Sequence, residues 1–356
     1  MSGGEARRVA AGEVRDPHAL AAAREPVVLE GFLAGTPLAA VSSATAARAM
    51  LGDTALELRE EFVAWSLRHG GAPDARPARA SSLGAYLDLL QAEPATPWMC
   101  TEFATPPALV ERMGACARAL GEGGAPPVSF SFVGGRGHHA HLHYDGDFRN
   151  VLLVQVFGEK RAAMIPADAS HRLHAVGNFS GVFLDRMADR ERAAFVAQAR
   201  GWTAEIGPGD ALFMPAGLWH YLDYPVTGMS INLRFGASAA NARLAGRFHA
   251  HDALQRIVWH FADGHAPSDG EERGLTELLA LAGPCAADSR ARGAEVEALT
   301  GKLAAAWCGA MQAASLPDEY AALREAATRH ECARLYPRAA ASALDLSGWG
   351  SVAARA

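Results

Sequence analysis

The segment His141-Leu142-His143-Tyr144-Asp145, followed within a few residues by the almost wholly apolar run 151–157, constrains this chain more than any other stretch. Successive side chains of a β-strand point to opposite faces, so residues two apart share a face. In extended backbone His143 and Asp145 can therefore reach one metal ion. The run 151–157 is apolar on both faces, the pattern of a central strand covered on both sides. Together they describe a sheet protein with a polar, metal-competent site beside its core.

A third ligand has to come from elsewhere in the chain, and His220 is the best placed. It follows a Gly209-Asp210 turn, a short apolar strand and a Pro215-Ala216-Gly217 turn, a sequence that delivers a side chain onto a neighbouring strand. Two histidines and one carboxylate on one side of an octahedral ion leave its other positions open, the arrangement of non-haem Fe(II) oxygenases.

The ordered set continues with Asn150, Gln155, Gly158-Glu159-Lys160, then Gly209-Asp210, Pro215, Trp219-His220 and Ser230-Ile231-Asn232. In this order and over residues 25–236, the chain resembles the JmjC and cupin-like 2-oxoglutarate-dependent oxygenases. The segment 25–32 is similar to that family's opening strand and 83–87 to its helix ahead of the barrel. The resemblance implies a double-stranded β-helix, or jelly roll, with His143, Asp145 and His220 on Fe(II). It further implies 2-oxoglutarate as co-substrate, with Lys160 at the position that binds the distal carboxylate. Asn232 matches the asparagine near the co-substrate, and Asn150 is a candidate to orient a ligand or the co-substrate. Arg234 stands at a spacing from His220 that other branches use for a carboxylate-binding arginine, so it is a rival to Lys160. The family's usual Thr or Ser three residues before the first ligand is replaced here by Ala140. The ring of His141 can enter the site or line a loop.

Lysine is rare in this chain: among 33 Lys and Arg residues only Lys160 and Lys302 are lysine, so a lysine at a motif position is not background. Asn150, Asn178, Asn232 and Asn241 are the only asparagines, and two of them fall on the motif. A formal charge of -6 argues against a general electrostatic hold on nucleic acid or acidic membranes. Five cysteines without a CxxC pair suggest neither a disulfide framework nor a zinc knuckle. With no apolar leader or membrane-length run, the expected setting is cytoplasmic.

Three regions are expected: a loose arm or first helix over 1–24, the jelly-roll domain over 25–236, and a helical region over 237–356. The many short segments between Gly/Pro turns read as a β-sandwich or barrel, making the protein mainly β with helical additions. Further strands are expected at 128–133, 160–165, 181–184, 203–206, 211–214, 219–224 and 229–235. Residues 189–200 read as a helix stopped by Gly201. In the last region, apolar faces including Trp259, Phe261 and Trp307 suggest pairing with a second copy as a homodimer. The substrate expected from the resemblance is an amino-acid side chain in a protein or peptide. A small metabolite or free amino acid is the nearest rival, and a jelly-roll module that binds a partner without turnover is the alternative in another class.

Overall fold

Short apolar segments separated by Gly and Pro turns make strands the dominant element, and the chain order of those strands decides where the site can form. The computed structural model describes residues 4–14, 19–20, 25–61, 76–121, 127–145, 149–166, 169, 173, 180 and 182–236. The expected helical region beyond 236, and with it the dimerisation surface, lies outside the described residues.

In chain order the strands are β1 (Gly4–Glu5), β2 (Arg7–Ala10), β3 (Val27–Glu30), β4 (Ala55–Glu60), β5 (Arg79–Ser82), β6 (Trp98–Ala104) and β7 (Val128–Gly134). They continue with β8 (His139–His143), β9 (Asn150–Phe157), β10 (Lys160–Ile165), β11 (Trp202–Ile206), β12 (Ala211–Met214), β13 (Trp219–Asp223) and β14 (Gly228–Phe235). The helices are α1 (Ala44–Leu51), α2 (Leu83–Ala92), α3 (Pro107–Arg112), α4 (Ala115–Ala119) and α5 (Asp189–Gln198). Ser43 and Ser82 start α1 and α2 by accepting the backbone N–H three residues on, which satisfies a donor that the helix itself leaves unpaired.

The strands form two sheets. The larger has the order β2-β3-β12-β9-β14-β7-β6-β4-β5 and the smaller β1-β11-β10-β13-β8. From β7 to β14 the chain crosses repeatedly between them, placing β12-β9-β14-β7 opposite β11-β10-β13-β8. Four strands against four with non-sequential neighbours is the jelly roll expected from the sequence. Strand β9 lies between β12 and β14 and is buried along its whole length, as the two-sided apolar run required.

Two apolar layers result. Val151, Leu153, Leu212 and Met214 of the large sheet meet Ala162, Met164, Ala204 and Leu222 of the small one. On the other side of the large sheet, Leu152, Val154, Ile231 and Leu233 pack with Tyr86, Leu90 and Leu109 from the helices. Each such Leu or Val contributes roughly 1.5–3 kcal/mol of burial. The corner between β9 and β10, Gly158-Glu159, carries the chain from one sheet to the other. Gly158 has φ 67° there, and a Cβ would lie 2.2 Å from the Thr227 carbonyl oxygen, so only glycine fits.

The structure differs from the sequence reading in several places. In the segment expected as a loose arm, β1 pairs in parallel with β11 and β2 with β3. Backbone pairing at a sheet edge needs no apolar period, and Arg8 secures it through Glu30 at 2.7 Å and Asp210 at 3.3 Å. Strands β5 and β6 were not anticipated. The expected strand at 181–184 is instead a 3-10 turn over Leu184–Arg186. At the end of α5 it is Arg200, not Gly201, that adopts the left-handed conformation, with φ 57°. Gly201 is needed for a different reason: a Cβ would meet the Met164 carbonyl oxygen at 2.2 Å.

Candidate metal centre

Strands β8 and β13 are neighbours in the small sheet, and their register sets His220 directly opposite His143. Asp145 lies two residues beyond the end of β8, so its approach is made by the loop and not by strand alternation. The ligand atoms of His143, Asp145 and His220 all fall within 4.8 Å of one another, the one such group of three among the described residues. The two imidazole rings are 4.4 Å apart at their centroids.

Both histidines are held in the tautomer a metal needs. Nδ1 of His143 is 2.6 Å from the His141 carbonyl oxygen, and Nδ1 of His220 is 3.0 Å from that of Leu218. A carbonyl only accepts, so each Nδ1 carries a proton, and Nε2 is the nitrogen left to ligate a metal. Nε2 of His143 then faces Asp145 Oδ1 at 3.7 Å. Two electron-rich atoms aimed at each other need a cation between them, and this donor set of two nitrogens and one carboxylate oxygen fits Fe(II).

Burial, reinforced by His220, pushes the His143 imidazole down to about 4. Burial pushes the Asp145 carboxyl up, but His220, Arg234 and His143 together outweigh it and hold it below its usual value. At neutral pH the pair is therefore a neutral imidazole and a carboxylate, ready for a metal. His138 is buried at the end of the loop before β8, where Nε2 faces the Thr96 carbonyl at 2.8 Å and Nδ1 accepts from Gly135 N–H. Burial lowers its value too. Both groups are depressed below an unfolded value of about 6.5, so the unfolded chain binds more protons and stability is lost as pH falls through 6.5. Urea unfolding of the metal-free protein is expected to show falling stability from pH 7 to pH 5, by up to about 1.4 kcal/mol per pH unit for each histidine. A flat profile would show that these rings are not held neutral.

The inner wall is built by β14, whose Ser230, Asn232 and Arg234 lie two apart on the face opposite to Ile231 and Leu233. Lys160 is 3% exposed, its Nζ donating to Ser230 Oγ at 2.7 Å and lying 4.5 Å from the centre of the Tyr224 ring. It shares a face of β10 with Met164, the cross-strand partner of His220. Among the described residues no carboxylate pairs with it, and burial pushes the ammonium down to about 7. Asn232 Oδ1 and Gln155 Oε1 are buried on the same wall without a hydrogen-bond partner among the described residues. A buried cation lacking an anion, next to unsatisfied polar atoms, is a cradle for an acidic molecule.

Arg234 lies at the other end of that wall. Its Nη2 is 3.7 Å from Asp145 Oδ1 and 3.1 Å from Glu102 Oε2, and its guanidinium lies 4.7 Å from the centre of the Phe130 ring. The structure therefore separates the two rival carboxylate anchors, Lys160 beside Ser230 and Arg234 beside Asp145. Asn150 is not aimed at the triad: its Oδ1 accepts from Ala216 N–H at 3.0 Å and ties down the turn that delivers His220. Ala140 sits opposite Leu222 on the inner core, so no hydroxyl comes from that position. The hydroxyl beside Lys160 comes from Ser230, a motif residue whose type and spacing alone carry no sign of that role. The His141 ring packs against Phe183 at 5.1 Å and stands outside the ligand group, contributing its carbonyl instead. Cys100 is buried and its thiol is pushed up to about 12 by burial, which removes it as a nucleophile.

Among the described residues no helix is long and apolar enough to cross a membrane. Jumonji C domain-containing protein 5 of Drosophila melanogaster is 30% identical over 107 residues, which cover 29% of this chain and 26% of that protein. The match thus spans about a quarter of that relative's length. A sequence profile of the cupin-like domain matches residues 15–235, taking in β3 to β14, the triad and Lys160. With that match extending over more than half its length, and with the jelly roll that carries it, the chain belongs to the cupin-like domain family.

Proposed function

We propose that this protein is an Fe(II)- and 2-oxoglutarate-dependent oxygenase that hydroxylates a side chain in a protein or peptide. The observation that supports this reading best is the pairing of two features on one inner surface: a three-ligand group whose donor atoms converge, and a buried lysine without a carboxylate partner among the described residues. Iron(II) bound with 2-oxoglutarate supplies oxidation of a substrate C–H bond by dioxygen, one oxygen atom entering the new hydroxyl and the other the succinate formed as carbon dioxide leaves.

The chain's own residues do the positioning. His143 and His220 are oriented by backbone carbonyls, and Asp145 supplies the compensating negative charge. Lys160 and Ser230 receive the distal carboxylate of the keto acid, and Asn232 lines the wall between that end and the metal. The apolar side chains Leu153, Met164 and Leu222 keep water from the inner layer, where charge-assisted contacts gain strength.

Anaerobic addition of Fe(II) and then 2-oxoglutarate is expected to produce the visible charge-transfer band of a metal-chelated keto acid. An iron-loaded protein that never develops the band would support a jelly-roll module that binds a partner without turnover.

A further inference from the structure

The two cations of the inner wall differ in access. Lys160 is enclosed, with a hydroxyl and two aromatic rings around its ammonium. The Arg234 side chain is 13% exposed and its partner Glu102 is 45% exposed, which marks their end as the open side of the site. The ion pair there is 3.1 Å long and reaches a carboxylate that solvent already screens, which lowers the cost of exchanging one carboxylate for another on Arg234. The guanidinium, by contrast, is positioned by the Phe130 ring on its face and by Asp145 at its edge. A planar guanidinium fixed in this way is pre-organised to meet an incoming carboxylate with a charge-assisted hydrogen bond.

We propose that Arg234 is the specificity-determining residue for the molecule being hydroxylated: it receives a carboxylate of that substrate, an acidic side chain of the protein or peptide, in exchange for Glu102. This rests on the oxygenase reading above. Glu102 is the resting counter-ion, occupying the place of the substrate acid until the substrate arrives. A cationic group would be a poor occupant, because next to Glu102 it would meet both Arg234 and the metal, each positively charged. An acid on Arg234 is instead held next to Asp145, so that the carbons beside it lie close to the metal ligands.

The test uses the full-length protein loaded anaerobically with Fe(II) and 2-oxoglutarate, so that the charge-transfer band reports an intact site in the same sample. Short peptides with a central Asp or Glu, their Asn and Gln counterparts, and Lys or Arg counterparts are titrated by calorimetry while the band is recorded. Acidic peptides are expected to bind at least tenfold more tightly than the amides and to shift the band. Arg234→Gln is expected to erase that preference, and Arg234→Lys, which keeps the charge but not the planar group, to retain part of it. Glu102→Gln is expected to tighten acidic peptides several-fold, because it removes the internal competitor, a gain that a merely structural ion pair would not produce. Preference for Lys or Arg peptides that is lost in Glu102→Gln would overturn the proposal and assign recognition to Glu102. Equal binding of all the peptides, or of none, would also overturn it. A wild-type protein without the band would sink the oxygenase reading itself, and this proposal with it.

Discussion

Replacing His220 with alanine is expected to weaken divalent-metal binding by more than about a hundredfold. Losing a partner that merely orients a ligand already costs roughly 10–100-fold in affinity, and His220 is proposed as a ligand itself. Asp145→Ala is expected to do at least as much, since it also removes the one negative charge of the group and leaves Arg234 facing the ion. His141→Ala should cost far less than either. Its ring lies outside the ligand group, and the carbonyl that orients His143 is retained by any residue. Calorimetric titration with Mn(II) under reducing conditions measures all three. Wild-type affinity in both His220→Ala and Asp145→Ala would remove the triad as the metal site.

Lys160→Ala is expected to raise the 2-oxoglutarate concentration needed for half-saturation about ten- to more than a hundredfold, the equivalent of a charge-assisted contact worth roughly 1.5–3 kcal/mol. Arg234→Ala should have a much smaller effect on the keto acid, because Arg234 stands beside Asp145 and Glu102, away from Ser230 and the enclosed end. A dependence on pH accompanies the contact. Burial holds the Lys160 ammonium down to about 7 in the ligand-free protein, and a carboxylate placed against it raises that value again. Below pH 7 the lysine already carries its proton. Above it, binding must take up a proton, so the affinity for 2-oxoglutarate should fall with rising pH, by up to about tenfold per unit. Titrating wild type, Lys160→Ala and Arg234→Ala between pH 6.5 and 8.5 tests both statements. If the alanine ranking is reversed, the distal anchor is Arg234. If the wild-type slope persists in Lys160→Ala, some other group takes up the proton.

Much of the fold was legible because it is encoded locally. The two-sided apolar run 151–157 became the central strand β9, and the helix expected from residue 83 starts there, capped by Ser82. The strands at 128–133, 160–165 and 211–214 were readable from alternation and turn residues. What failed did so where local pattern carries no information. The edge strands β1, β2 and β5 are polar and short, and their pairing comes from whichever backbone is left uncovered beside them. The turn at 184–186 holds Leu184 in the core with a single buried side chain, too few to show a period.

By itself the sequence determined which residues could make this site: a histidine and an aspartate two apart, a second histidine after a Pro-Gly turn, and a lysine in a chain that scarcely uses lysine. These are properties of residue type and spacing, which survive without knowing what pairs with what. Only the tertiary structure decided how they are used. Register across β8 and β13 set His220 opposite His143, and the loop after β8 brought Asp145 to them from outside the strand. Register on β14 put Ser230 next to Lys160 and Arg234 next to Asp145, while Asn150 went to the backbone of Ala216. Cross-strand neighbours lie about 5 Å apart whatever their separation along the chain, so their identity follows from the pairing of whole strands.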